Sequence, residues 1–111
     1  MLLIFKESKA FERSREEHLD DEEFRALQSA LLDNPEAGVL IRRTGGLRKL
    51  RWNAEGTGKR GGLRIIYYLA WALESCLLLI VYRKGAQDDL TPEQERILMR
   101  VVQNELDSGG K

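Results

Sequence analysis

Residues Leu47–Tyr68 read LRKLRWNAEGTGKRGGLRIIYY: two strand-like segments joined by a glycine-rich loop. Leu47–Trp52 alternates, so Leu47, Lys49 and Arg51 point to one face of a strand and Arg48, Leu50 and Trp52 to the other. From Leu40 to Arg64 there are eight basic residues against one acid, Glu55, a local charge of +7 in a chain of net charge zero. A positive, glycine-flexed hairpin suits a polyanion, and nucleic acid is the polyanion it suits best.

The residues around the hairpin extend the pattern. Gly62–Ala72 is rich in β-branched and aromatic residues and predicts a strand; Cys76–Arg83 predicts another after a weak turn at Leu73–Ser75. Leu2–Phe5 and Val39–Ile41 are short strand candidates, with a turn at Thr44-Gly45-Gly46. A helix is expected over about Ser8–Glu17. A second is expected after Asp20, with Glu23 completing a capping box and Phe24, Leu27 and Leu31 forming an apolar stripe that Asn34-Pro35 ends. Thr91-Pro92-Glu93-Gln94 opens a third, with Thr as N-cap, Pro at N1 and Gln at N3. The order β-α-α-(β)-β-β-β-α predicts an α+β domain, an antiparallel sheet of about four strands packed against N-terminal helices and a C-terminal helix. With 111 residues, one domain is expected over 1–111, with 106–111 as a frayed tail.

Composition narrows the function. The hydrophobic fraction is 42% and the charged fraction 32%, and no apolar run reaches the roughly 18 residues of a membrane span. The start, MLLIFKESKAFERS, puts its apolar patch before its charges, the reverse of a signal peptide, so a cytoplasmic location is expected. The single cysteine, Cys76, reads as a core residue, and the single histidine, His18, lies in an acidic segment; no metal site and no cofactor are expected. Glu12–Glu36 carries a local charge of −6 and Ala86–Asp107 one of −4, which leaves the middle as the positive part.

Gly56-Thr57-Gly58-Lys59-Arg60-Gly61 matches GxGxxG, but a dinucleotide site needs a helix to follow and a strand sequence follows instead. Arg60 also stands where a P-loop needs Ser or Thr. The loop reads as a cationic hairpin loop closing on phosphate. In a meander, Lys49, Arg51, Arg64 and Lys84 line one groove near the strand ends, with Tyr82 or Tyr68 close by. That face carries Arg64, Ile66 and Tyr68, then Cys76, Leu78, Ile80 and Tyr82. The opposite face sets Leu50, Trp52, Leu63, Ile65, Tyr67, Leu69, Leu77, Leu79 and Val81 against the helices. Such a cluster either binds RNA or cuts it without metal: Arg neutralises charge on a phosphorane, Lys crowded by other cations acts as a base, and Tyr stacks on a base or positions the nucleophile. The residues leave these two alternatives open.

The string Gly45-Gly46-Leu47-Arg48-Lys49-Leu50-Arg51, then Gly56–Tyr68, Leu77–Lys84 and Asp89-Leu90, resembles the RelE/HigB-type toxins of bacterial type II toxin–antitoxin systems, most closely the HigB branch. The resemblance implies a compact RelE-like fold. It implies a ribosome-dependent endoribonuclease that cuts messenger RNA in the A site of the 70S ribosome and so stops translation. It implies a cognate helix-turn-helix antitoxin that silences it. By the same resemblance, Lys49, Arg51, Arg64, Tyr82 and Lys84 are the catalytic candidates. Arg48, Lys59, Arg60, Tyr68 and Arg83 are candidates for contacting RNA or ribosome. The chain departs from several relatives in being neutral overall, and no carboxylate or histidine is expected near the site. The alternative is a non-catalytic member that only binds RNA or the antitoxin.

Overall fold

The computed structural model describes residues 3–53, 62–85 and 89–109. Its elements are β1 (Ile4–Glu7), α1 (Lys9–His18), α2 (Asp21–Asp33), β2 (Val39–Leu40), β3 (Leu47–Trp52), β4 (Leu63–Ala70), a single 3₁₀ turn (Trp71–Leu73), β5 (Ser75–Arg83) and α3 (Pro92–Gly109). The architecture is α+β, as expected. Among the described residues the sheet has five strands in the order β1-β5-β4-β3-β2, not about four, and it is mixed: β1 runs parallel to β5 while the other pairs are antiparallel. α3 is helical through Gly109.

The helix starts follow from local chemistry. Ser8 caps α1 by accepting from Phe11 N. Asp20 and Glu23 close the capping box of α2, and Thr91 and Gln94 exchange the same two bonds at α3. α1 is also bonded to the sheet. Ser8 Oγ donates to Leu79 O at 2.7 Å and Val81 N donates to Ser14 Oγ at 3.1 Å. β1 pairs with β5 only as far as Leu78, so these two serines satisfy the β5 backbone groups beyond the end of β1.

Helices cover both faces of the sheet. Phe11 of α1 and Leu27 and Leu31 of α2 pack with Ile65, Tyr67, Cys76 and Leu78 on one face. Leu98 and Val102 of α3 pack with Leu47, Ile66, Leu77 and Leu79 on the other. The strict alternation expected along β5 therefore fails. Ile66 pairs with Ile80 but Tyr67 pairs with Leu78, which leaves Leu79 as an extra residue in a β-bulge. One inserted residue reverses the phase of everything on its N-terminal side. Cys76 and Leu78 thus belong to the α1/α2 face, and Leu77 and Leu79 to the α3 face, the reverse of the sequence reading. Ile80, Val81 and Tyr82 lie where alternation put them.

Tyr67 ties the α2–β2 connection to the sheet. Its hydroxyl donates to Pro35 O at 2.7 Å and accepts from Gly38 N at 2.8 Å. A Cβ at Gly38 would lie 2.7 Å from the Tyr67 ring, so only glycine fits there. No helix among the described residues is long and apolar enough to cross a membrane.

Candidate functional site

The register places Arg51 opposite Arg64 and Arg64 opposite Tyr82. Directly opposed residues share a face, so the three form one row across β3, β4 and β5, on the face that carries α3. Lys49 lies two residues along β3, opposite Ile66, on the same face. All four sit toward the end of the sheet where β3 finishes and β4 begins. α3 packs on this face against Leu47, Ile66, Leu77 and Leu79.

The members of the row differ in exposure. Arg51 is exposed, Tyr82 is half-buried with its hydroxyl shielded from solvent, and Arg64 is only 6% exposed. Arg64 Nη1 donates to Leu63 O at 3.2 Å. A buried guanidinium needs a counter-charge, and its field reaches the carboxylate of Asp89. Lys49 Nζ makes an ion pair with Asp89 Oδ1. The hydrogen bond and charge of Lys49, with the smaller effect of Arg64, hold the Asp89 carboxyl below its ordinary pKa. Ile41, Arg42, Leu90 and Glu95 complete a hollow of about 370 Å³ around the Lys49–Asp89 pair.

Asp89 corrects the expectation that no carboxylate lies near the site. Its place is set by α3, whose packing on the Lys49 face brings the segment before Thr91 against β3. The available signal was an acid next to a helix cap, but its partner lies 40 residues away in sequence.

The other candidates are scattered. Lys84 is exposed just past β5, where its N–H donates to Gly62 O at 3.2 Å, and so lies at the same end of the sheet. Gly62 suits that crossing because it adopts φ +55°. Arg83 pairs with Leu63, which puts it on the opposite face from the row. Arg48 also points to the opposite face, where its guanidinium is tied up: Nη1 donates to Gly38 O at 2.8 Å and Nη2 pairs with Glu36 at 3.3 Å. Tyr68 pairs with Leu47 and Leu77 and packs under α3, four residues up β4 from Arg64, or roughly 13 Å at strand rise. Lys59 and Arg60 lie outside the described residues. His18 ends α1 beside Glu17, away from the row, and Cys76 is fully buried, its thiol pushed up to about 12 by burial.

The row can hold one or more anions. Two guanidinium groups and an ammonium gather at one edge, beside a carboxylate that an incoming anion can replace.

No family model matches the chain. Among solved structures, the chain is similar to the isolated RelE toxin of E. coli, with 17% sequence identity over 90% of this chain and 97% of that one and a TM-score of 0.48.

Proposed function

We propose that this chain is a cytoplasmic type II toxin, a metal-independent endoribonuclease that cuts messenger RNA in the ribosomal A site and is neutralised by a helix-turn-helix antitoxin. The observation that carries the reading is the row Arg51–Arg64–Tyr82 with Lys49 beside it. The GGLRK, GKRGG and RIIYY strings support it from the sequence.

In this reading, the phosphate at the scissile bond displaces Asp89 from Lys49. The RNA 2′-oxygen attacks phosphorus as its proton leaves, and the 5′-oxygen departs with a proton gained. The products are a 2′,3′-cyclic phosphate and a 5′-hydroxyl. Arg51 and Arg64 stabilise the charge that builds on the phosphorane. Lys49 and Asp89, side by side at the edge of the row, can each exchange a proton. Chemistry this sparse depends on the ribosome to set the RNA geometry, so free RNA is cut negligibly.

The burial of Arg64 favours a second reading, a member that binds RNA or antitoxin without cutting, because a 6% exposed guanidinium reaches substrate only after a local shift. Expression in bacteria separates the two. The enzyme arrests growth and leaves messages with new ends, and Lys49→Ala, Arg64→Ala or Lys84→Ala relieves the arrest. Arrest with intact messages supports the second reading. Full toxicity in all three folded variants contradicts the assigned site.

A further inference from the structure

We propose that Arg42, Arg43 and Arg96 form a second phosphate-binding subsite, a track that carries single-stranded RNA away from the Lys49 end of the row. The inference rests on the RNA-directed reading of that row. A second hollow, of about 560 Å³, is lined by Arg42, Arg43, Thr44, Glu95, Arg96 and Met99, among others. It shares Arg42 and Glu95 with the hollow around Lys49 and Asp89, so the two make one groove between the β2–β3 turn and the start of α3.

Three features suit this groove to a phosphate chain. Arg42, Arg43 and Arg96 are all exposed, and among the described residues none has a carboxylate partner within 4.0 Å, whereas Arg15, Arg48 and Lys49 each do. The turn that presents Arg42 and Arg43 is pinned: Thr44 Oγ1 donates to Ile41 O at 2.7 Å and accepts from Leu47 N at 3.1 Å. A guanidinium fork on a fixed turn matches phosphate oxygens in pairs. The apolar groups along the groove, Ile41, Leu90 and Met99, are partly buried in the packing with α3, so the three arginines are more exposed than they are. Glu95 opposes the track, one carboxylate against three arginines.

The test is binding of a fluorescent oligouridylate of about twelve nucleotides, within the span single-strand sites cover, followed by anisotropy across a salt series. The double variant Arg43→Ala/Arg96→Ala should weaken binding roughly tenfold at low salt and make the log–log salt slope shallower by about 1.4, the loss of two phosphate contacts. Glu95→Gln should tighten binding severalfold. Circular dichroism melts check that the variants fold. An unchanged slope in the double variant overturns the track, as does wild-type protein that binds no RNA. Loss of binding to poly-glutamate but not to RNA overturns it in favour of an acidic peptide. If Lys49→Ala weakens RNA binding while the arginine variants do not, the track fails and the reading of the row stands.

Discussion

Tyr67 and Asp89 show how single side chains carry the structure and the site. Tyr67→Phe keeps the ring in the core but leaves Gly38 N and Pro35 O without their hydroxyl partner. Leaving buried polar groups unpaired costs about 1–3 kcal/mol, so the urea midpoint should fall with little change in slope. A midpoint equal to wild type would contradict the role given to that hydroxyl. Asp89 predicts a pH dependence. Its native pKa lies below the ordinary carboxylate value of 3.8, so its contribution to stability is fully present above that value. It is lost as pH falls through the lowered native value. Asp89→Asn should therefore have a lower urea midpoint than wild type near neutrality, and the two should converge as pH falls below the lowered native value. The carboxylate is exposed, so the gap should be small and should narrow with salt. A gap that widens on acidification would contradict the pairing.

At the scale of elements, α3 shapes the site. It packs Leu98 and Val102 onto the cationic face, and its start sets Asp89 beside Lys49. Thr91→Ala removes the acceptor for Gln94 N and should cost about 1 kcal/mol of stability. It should also loosen the Lys49–Asp89 pair, seen as an upward shift of the Asp89 carboxyl titration by NMR. An unshifted titration would show that the cap does not position Asp89. The elements themselves were legible in the sequence because their signals are local. The two capping boxes start α2 and α3 where the sequence puts them, and alternation marks Leu47–Trp52 to the residue. The phase of β5 was not legible, since a bulge at Leu79 answers to packing on both faces and leaves no mark in a single strand. The parallel pairing of Ile4 with Ser75 was hidden for a related reason: no turn sequence connects the two strands.

The whole molecule separates charge that its composition conceals. A chain of net charge zero places four cations, Lys49, Arg51, Arg64 and Lys84, at one end of a sheet, while the acidic residues of Glu12–Glu36 lie largely on α1 and α2 across the opposite face. Of the candidate site, the row itself was readable, because Lys49, Arg51 and Arg64 follow strand periodicity on adjacent strands. The commitment of Arg48 to Glu36, the burial of Arg64 and the approach of Asp89 were not, because each depends on how helices settle on the sheet. The most direct measurement is cleavage of an end-labelled message on purified ribosomes with an open A site. Wild-type protein should cut the message within the A site and leave the same naked message intact. Arg51→Ala and Arg64→Ala should each slow cleavage by about a hundredfold, the scale for losing one transition-state charge donor. No cutting by the wild type, or undiminished cutting by both folded variants, would contradict the account.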